Sequence, residues 1–168
     1  MGVLGFVEAA LELAAQIGRG ELPEPDSVVV ALGSGGSAAG LLAGLRMAGL
    51  RTRVRPVLVN DGLELGEKTL YRLARKALKL LESRGADVSR VTLSAGDLEI
   101  VHGFLGDGYG HSIPAADAAL RLARDCEGLR LEPVYTAKTL AALLSGTGPG
   151  TFGSGPVLFW NTHSAVPA

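Results

Sequence analysis

The chain has 168 residues, 47% apolar and 20% charged, with a formal net charge of −1, the composition of a folded globular domain rather than a disordered segment. That balance leaves no basic excess for a nucleic-acid backbone and no polybasic stretch for a membrane surface, so neither is expected as a partner. No apolar run is long enough to span a bilayer, and the single cysteine, Cys126, fits a reducing compartment; together these predict a soluble cytoplasmic protein.

Leu4, Val7, Leu11 and Ala14 recur at helical spacing and predict an amphipathic first helix. Glu8 and Glu12 interrupt its apolar run and no basic residue precedes it, so it does not read as a secretory signal. Gly18 and Gly20 stop this helix, and Pro23 and Pro25 make the connection. Residues 27–32 (SVVVAL) are apolar and β-branched, the pattern of a strand buried on both faces. The turn Gly33-Ser34-Gly35-Gly36-Ser37 follows, and 38–48 reads as a helix. A second buried strand is expected over 54–59. Leu70, Leu73, Ala74, Ala77, Leu78 and Leu81 form a helical stripe, with Lys68, Arg72, Arg75 and Lys79 outside it, and Gly85 ends it.

Short strands are predicted over 91–93 and 98–101, then a loop, GDGYG, over 106–110. Pro114 opens a helix through about Asp125, as a first-turn proline can. An extended piece, 131–134, leads into a helix from about Thr136 to Leu144; 146–155 reads as a flexible turn and 156–160 (PVLFW) as a last buried strand. Strands and helices alternate throughout. That order predicts an α/β fold of one domain, with three layers and a mostly parallel sheet carrying helices on both faces. The 24 glycines and the scarcity of rings fit close-packed helices and tight turns.

The glycine-rich turn between a buried strand and a helix favours an anion. Glycines let the backbone come close, and amides at the helix start point outward with the positive end of the helix dipole. Phosphate is the natural guest, and Ser34 and Ser37 can add hydroxyl donors; the plainer reading is a turn that only packs helix on strand. Gly33, Gly35 and Ala38 also satisfy the loose dinucleotide pattern G-x-G-x-x-[GA], with Asp61 near where a ribose-binding acid falls. A nucleotide-hydrolase phosphate loop lacks its Lys-Ser/Thr pair, and a serine elbow at Ser37 lacks its last glycine.

His102, His111 and His163 are widely spaced without a ligand pattern, so no metal site is expected. Tyr109 and Tyr135 adjoin a loop and a helix start, where ligands sit in open α/β sheets, although ordinary packing would also account for either. Lys68, Lys76 and Lys79 lie on the polar face of their helix, and Lys138 in the first turn of the helix after Tyr135.

Four separate segments together resemble one family. VEAALELAAQI is similar to the helix that precedes its phosphate strand, and VVVALGSGGSAAGLLAGL to its phosphate loop. GDGYG followed by EGLRLEPVYTAKTLAALL resembles its GYG and EG…DPVYTGK stretch, and GPVLFWNT its final strand and terminal threonine. The family is that of the fold type II, tryptophan synthase β-like pyridoxal-phosphate (PLP) enzymes, in the group of D-cysteine desulfhydrase and 1-aminocyclopropane-1-carboxylate deaminase. The order and spacing agree over nearly the whole chain.

This resemblance implies that Gly33, Ser34, Gly35, Gly36 and Ser37 hold the phosphate of pyridoxal 5′-phosphate, that Tyr135 lies beside the pyridine ring, that Tyr109 faces a small amino-acid substrate, and that Thr162 approaches the ring nitrogen. Thr136 stands where the cyclopropane deaminases carry Glu, and Thr162 where they carry Leu; both resemble the desulfhydrase side and place Thr136 with the cofactor residues. The implied reaction is β-elimination of D-cysteine to pyruvate, ammonia and hydrogen sulfide, with the cofactor as electron sink. His163 and Ser164 stand where the family often has glycines, and Glu132 replaces its usual Asp. Residues 1–168 would be a single, partial PLP-binding domain without the amino-terminal portion that carries the Schiff-base lysine. Lys138 matches a different family lysine. A chain of this kind is inactive alone and works as a homodimer or with a partner chain that supplies the missing part.

Overall fold

The structure, a computed structural model, describes residues 2–146 and 152–162. Among the described residues, five helices and three strands follow in the order α1 (Gly2–Gly18), β1 (Ser27–Leu32), α2 (Gly36–Met47), β2 (Arg53–Leu58), α3 (Glu67–Glu82), α4 (Pro114–Glu127), α5 (Thr136–Ser145) and β3 (Val157–Trp160). The sheet is parallel throughout, in the order β2-β1-β3. Val28 pairs with Val54 on one side and with Leu158 on the other. All six residues of β1 are buried, as their unbroken apolar run predicts for a central strand.

The two faces of β1 serve different layers. Val28, Val30 and Leu32 pack with Val7, Ala10 and Leu13 of α1, Leu41, Leu42 and Leu45 of α2, and Leu70 and Ala74 of α3. Val29 and Ala31 face the opposite way, with Val57, Val59 and Ala142 of α5. Beyond them α4 packs on α5 through Ala116, Ala123, Leu131 and Ala137. This is the expected three-layer α/β arrangement. Each fully buried Leu or Val contributes roughly 1.5–3 kcal/mol.

Two glycines make the α1–α2 contact possible. A Cβ on Gly44 would lie 2.6 Å from the Val7 carbonyl oxygen and 2.7 Å from Ala10 Cβ, and one on Gly40 would lie 2.6 Å from Phe6 Cβ. The helix axes approach more closely than any side chain there would allow. Elsewhere the punctuation acts as its chemistry predicts. Pro114 occupies the first turn of α4, and Gly128, at φ 66°, closes it in the left-handed conformation.

The expected strands differ at three places. Residues 98–101 run parallel along the outer edge of β2 as two isolated bridges, Val54 with Leu98 and Val57 with Val101, tied by Glu99 N to Val54 O at 3.1 Å and Leu58 N to Val101 O at 2.9 Å. Residues 91–93 form no strand. Val91 and Leu93 press sideways onto the core of α2 and α3, so their alternation serves packing rather than a ladder. Of the piece expected to be extended over 131–134, Leu131 forms a β-bridge, but 133–134 turn, because the Glu132 carboxylate accepts the amides of Val134 and Tyr135 at 2.8 and 2.7 Å. Of the turn expected over 146–155, residues 147–151 lie outside the described residues, as do His163 and Ser164.

Candidate cofactor site

Because all strands run the same way, the chain leaves β1, β2 and β3 at one edge of the sheet, and that edge gathers the candidate residues. Gly33, Ser34 and Gly35 leave β1 there, and α2 starts at Gly36. Gly35 adopts φ 83°, ψ −7°, and a Cβ on it would fall 2.6 Å from Leu70 Cδ2, so the turn requires glycine twice over. The first backbone bond into α2 runs from Ala39 N to Gly35 O at 3.0 Å. The amides of Gly36, Ser37 and Ala38 therefore have no carbonyl one turn back, and among the described residues no side chain caps them. Ser34 is exposed and Ser37 half-buried. The arrangement is a glycine cradle of free donors at the positive end of a buried helix.

Two phenols close over this cradle. The ring of Tyr135 lies against Gly33, where a Cβ would meet Tyr135 Cε1 at 3.0 Å. The Tyr135 hydroxyl donates to the Tyr109 hydroxyl at 2.6 Å, and the rings meet edge-on, centroids 5.8 Å apart at 68°. That hydrogen bond first, and burial after it, push the Tyr135 phenol up to about 12 from its ordinary 10.0. At neutral pH Tyr135 therefore presents a neutral hydroxyl. Tyr109 is 49% exposed, at the rim.

Each phenol is held from behind. The Glu132 carboxylate takes the Val134 and Tyr135 amides, and the Thr136 hydroxyl accepts the Glu132 amide at 2.9 Å and donates to the Glu132 carbonyl at 3.2 Å. Thr136 is fully buried, and its hydroxyl lies on that turn. Tyr109 N donates to Asp61 Oδ1 at 3.1 Å, so the acid weighed above as a ribose ligand is engaged by the GDGYG loop. Lys138 is fully buried, and its Nζ donates to the Leu105 carbonyl at 2.6 Å. Burial pushes the Lys138 ammonium below its usual value, with the Glu132 and Asp61 carboxylates pushing back. Lys68, Lys76 and Lys79 are exposed on α3. Thr162 is exposed beyond Trp160, at the edge where β1 delivers Gly33. His102 and His111 are exposed.

The structure thus brings Gly33, Tyr135 and Tyr109 together in contact, with Gly35 two residues on in the same turn, and sets the Thr136 hydroxyl on the Glu132 backbone. Sequence reasoning missed the tasks of Glu132, Asp61 and Lys138. For Lys138 a signal existed: Ala137, Thr139, Leu140 and Ala141 around it are the composition of a helix buried on every side.

The residues fit a phosphorylated ring compound: α2 amides that no described side chain caps, and an aromatic ring against the first glycine of the turn. The class so defined is a parallel α/β domain with a glycine-rich turn at its sheet edge and two tyrosines beside it. The family model of the pyridoxal-phosphate dependent enzymes matches residues 1–162, and the chain belongs to that family. It is 34% identical over 167 residues to the D-cysteine desulfhydrases of Salmonella newport and Salmonella enteritidis, covering 98% of this chain and 47% of each of them. It superposes on the crystal structure of an ACC deaminase homologue with a TM-score of 0.76 at 29% identity, over 95% of this chain and 45% of that one. A threonine deaminase from T.th., at 23% identity and a TM-score of 0.58 over 98% of this chain and 60% of that one, shares the fold. The chain spans about half the length of the curated relatives it matches. Among the described residues, no helix is long and apolar enough to cross a membrane.

Proposed function

We propose that this chain holds the phosphate of pyridoxal 5′-phosphate on Gly33, Ser34, Gly35, Gly36 and Ser37, with Tyr135 beside the pyridine ring, Thr162 toward the ring nitrogen and Tyr109 toward a small amino-acid substrate. The observation that carries this reading is the Tyr135 ring seated on Gly33, an aromatic face beside a turn of free amides. When bound, the cofactor supplies an electron sink for a substrate carbanion. The chain's own tasks are then local. The α2 amides offset the phosphate charge, and Tyr135 shields one side from water. Its hydroxyl proton, held on the Tyr109 oxygen, orients the exposed phenol. Thr136 acts through the turn that its hydroxyl closes.

The reaction we propose for the site is β-elimination of D-cysteine to pyruvate, ammonia and hydrogen sulfide. Support comes from the D-cysteine desulfhydrase relatives and from the threonines at 136 and 162. That chemistry requires a lysine nucleophile. Of the four lysines, three lie exposed on α3 and Lys138 is spent on Leu105. In this reading residues 1–168 act as a single, partial PLP-binding domain, and turnover needs a lysine from a partner chain or another segment, in a homodimer or a two-chain enzyme. PLP titration, borohydride reduction and peptide mass mapping test it. Saturable binding without a pyridoxyl-lysine, and no pyruvate from D-cysteine, is the expected result. An adduct at Lys138 would overturn the claim that this chain lacks its own nucleophile.

A further inference from the structure

The GDGYG loop carries three glycines at positive φ, Gly106 at 70°, Gly108 at 129° and Gly110 at 90°. A segment of this kind loses more backbone entropy on ordering than any other, so it keeps one conformation only where something holds it. Two side chains from distant elements do so. Asp61, just past β2, accepts the Tyr109 amide, and its carboxylate also lies where a Cβ on Gly108 would meet it at 3.5 Å. Lys138, in α5, donates to the Leu105 carbonyl, immediately before the loop, at 2.6 Å. The two ties are four residues apart, one at Leu105 just before the loop and one at Tyr109 within it.

We propose that Lys138 is a positioning residue: its buried ammonium, acting with Asp61, clamps the loop so that the Tyr109 hydroxyl stays on Tyr135 at the mouth of the cradle. A lysine that only filled space would be replaced at lower cost by an apolar chain, since a buried ammonium loses its hydration. Lys138 keeps its ammonium fully buried, with the acceptor next to the functional loop rather than on its own helix. Glu132, which shapes the turn before Tyr135, and Asp61 both favour the charged form of Lys138. The same ammonium thus lies within electrostatic reach of the groups that fix each tyrosine. That the held phenol faces substrate rests on the function proposed above; the clamp itself does not.

The test uses the full chain carrying Lys138→Met, with amide hydrogen exchange followed by NMR. The Tyr109 amide reports on the loop and the Ala39 amide on the cradle helix. The clamp predicts exchange at Tyr109 faster by about tenfold or more, as expected when a hydrogen bond to a charged group is lost. It also predicts loss of the proton–proton contact between the Tyr109 and Tyr135 rings, with Ala39 unchanged. Unchanged exchange and an intact ring contact in folded Lys138→Met would overturn it. If that variant does not fold, the unsubstituted protein decides. Lys138 amine protons that exchange in step with the Tyr109 amide support the clamp, and amine protons exchanging as freely as those of Lys76 overturn it. PLP added to the same samples separates the two readings. Failure of PLP to bind the unsubstituted chain counts against the proposed function and leaves the loop measurement standing.

Discussion

Tyr135 donates to a second phenol, and the consequence reaches both pH dependence and stability. The folded Tyr135 phenol is held up to about 12 against an ordinary 10.0, chiefly by the Tyr109 hydroxyl. An acid whose pKa rises on folding keeps its proton in the native state where the unfolded chain has lost it. Its stabilising contribution is therefore complete below about pH 10 and is lost as pH rises through 12. Tyr109→Phe removes the main cause. We expect a larger phenolate fraction at any pH between those values, measured by near-ultraviolet absorbance, and a shallower fall of stability over the same window. At the cradle, Gly35→Ala forces a left-handed alanine with its Cβ 2.6 Å from Leu70 Cδ2. The expected loss is about 1–3 kcal/mol by urea unfolding, with weakened PLP binding. The turn itself was legible from its glycines. The phenol pair was not, since positions 109 and 135 are 26 apart and only α5 and the GDGYG loop bring them together.

Among the elements, α1 and α2 offer the sharpest contrast. Gly44→Ala drives a methyl group against the Val7 carbonyl and Ala10, backbone that cannot give way without separating the helices, and should cost about 1–3 kcal/mol. Gly5→Ala, in α1 with nothing within 4 Å of the new methyl, should instead stabilise by roughly 0.5–1 kcal/mol through helix propensity. Opposite shifts in Tm for these two glycine-to-alanine changes would check the packing. Helical periodicity located both helices but could not separate the two kinds of glycine, because the difference lies in the neighbour and not in the chain. The same limit explains 91–93 and 98–101. Both are short apolar runs, and only the second has β2 alongside to accept its amides.

For the molecule as a whole, a ligand that binds only the native state raises stability by mass action, about 2.7 kcal/mol at a hundredfold excess over Kd. PLP should therefore raise Tm in a dose-dependent way, and a nicotinamide dinucleotide should not, because Asp61 is already taken by the Tyr109 amide. A thermal-shift series with both ligands distinguishes the outcomes. The sequence alone determined the parallel α/β fold, the order of its elements, the glycine-rich turn after β1 and the family resemblance. Each of these is written in local periodicity, in glycine and proline placement, or in motifs read in order along the chain. Tertiary structure decided that Lys138 is buried on Leu105, that Asp61 holds the Tyr109 amide and that Thr136 turns inward to Glu132. Those contacts join positions delivered to one edge of the sheet by different strands and helices, and no local pattern encodes which of them will meet.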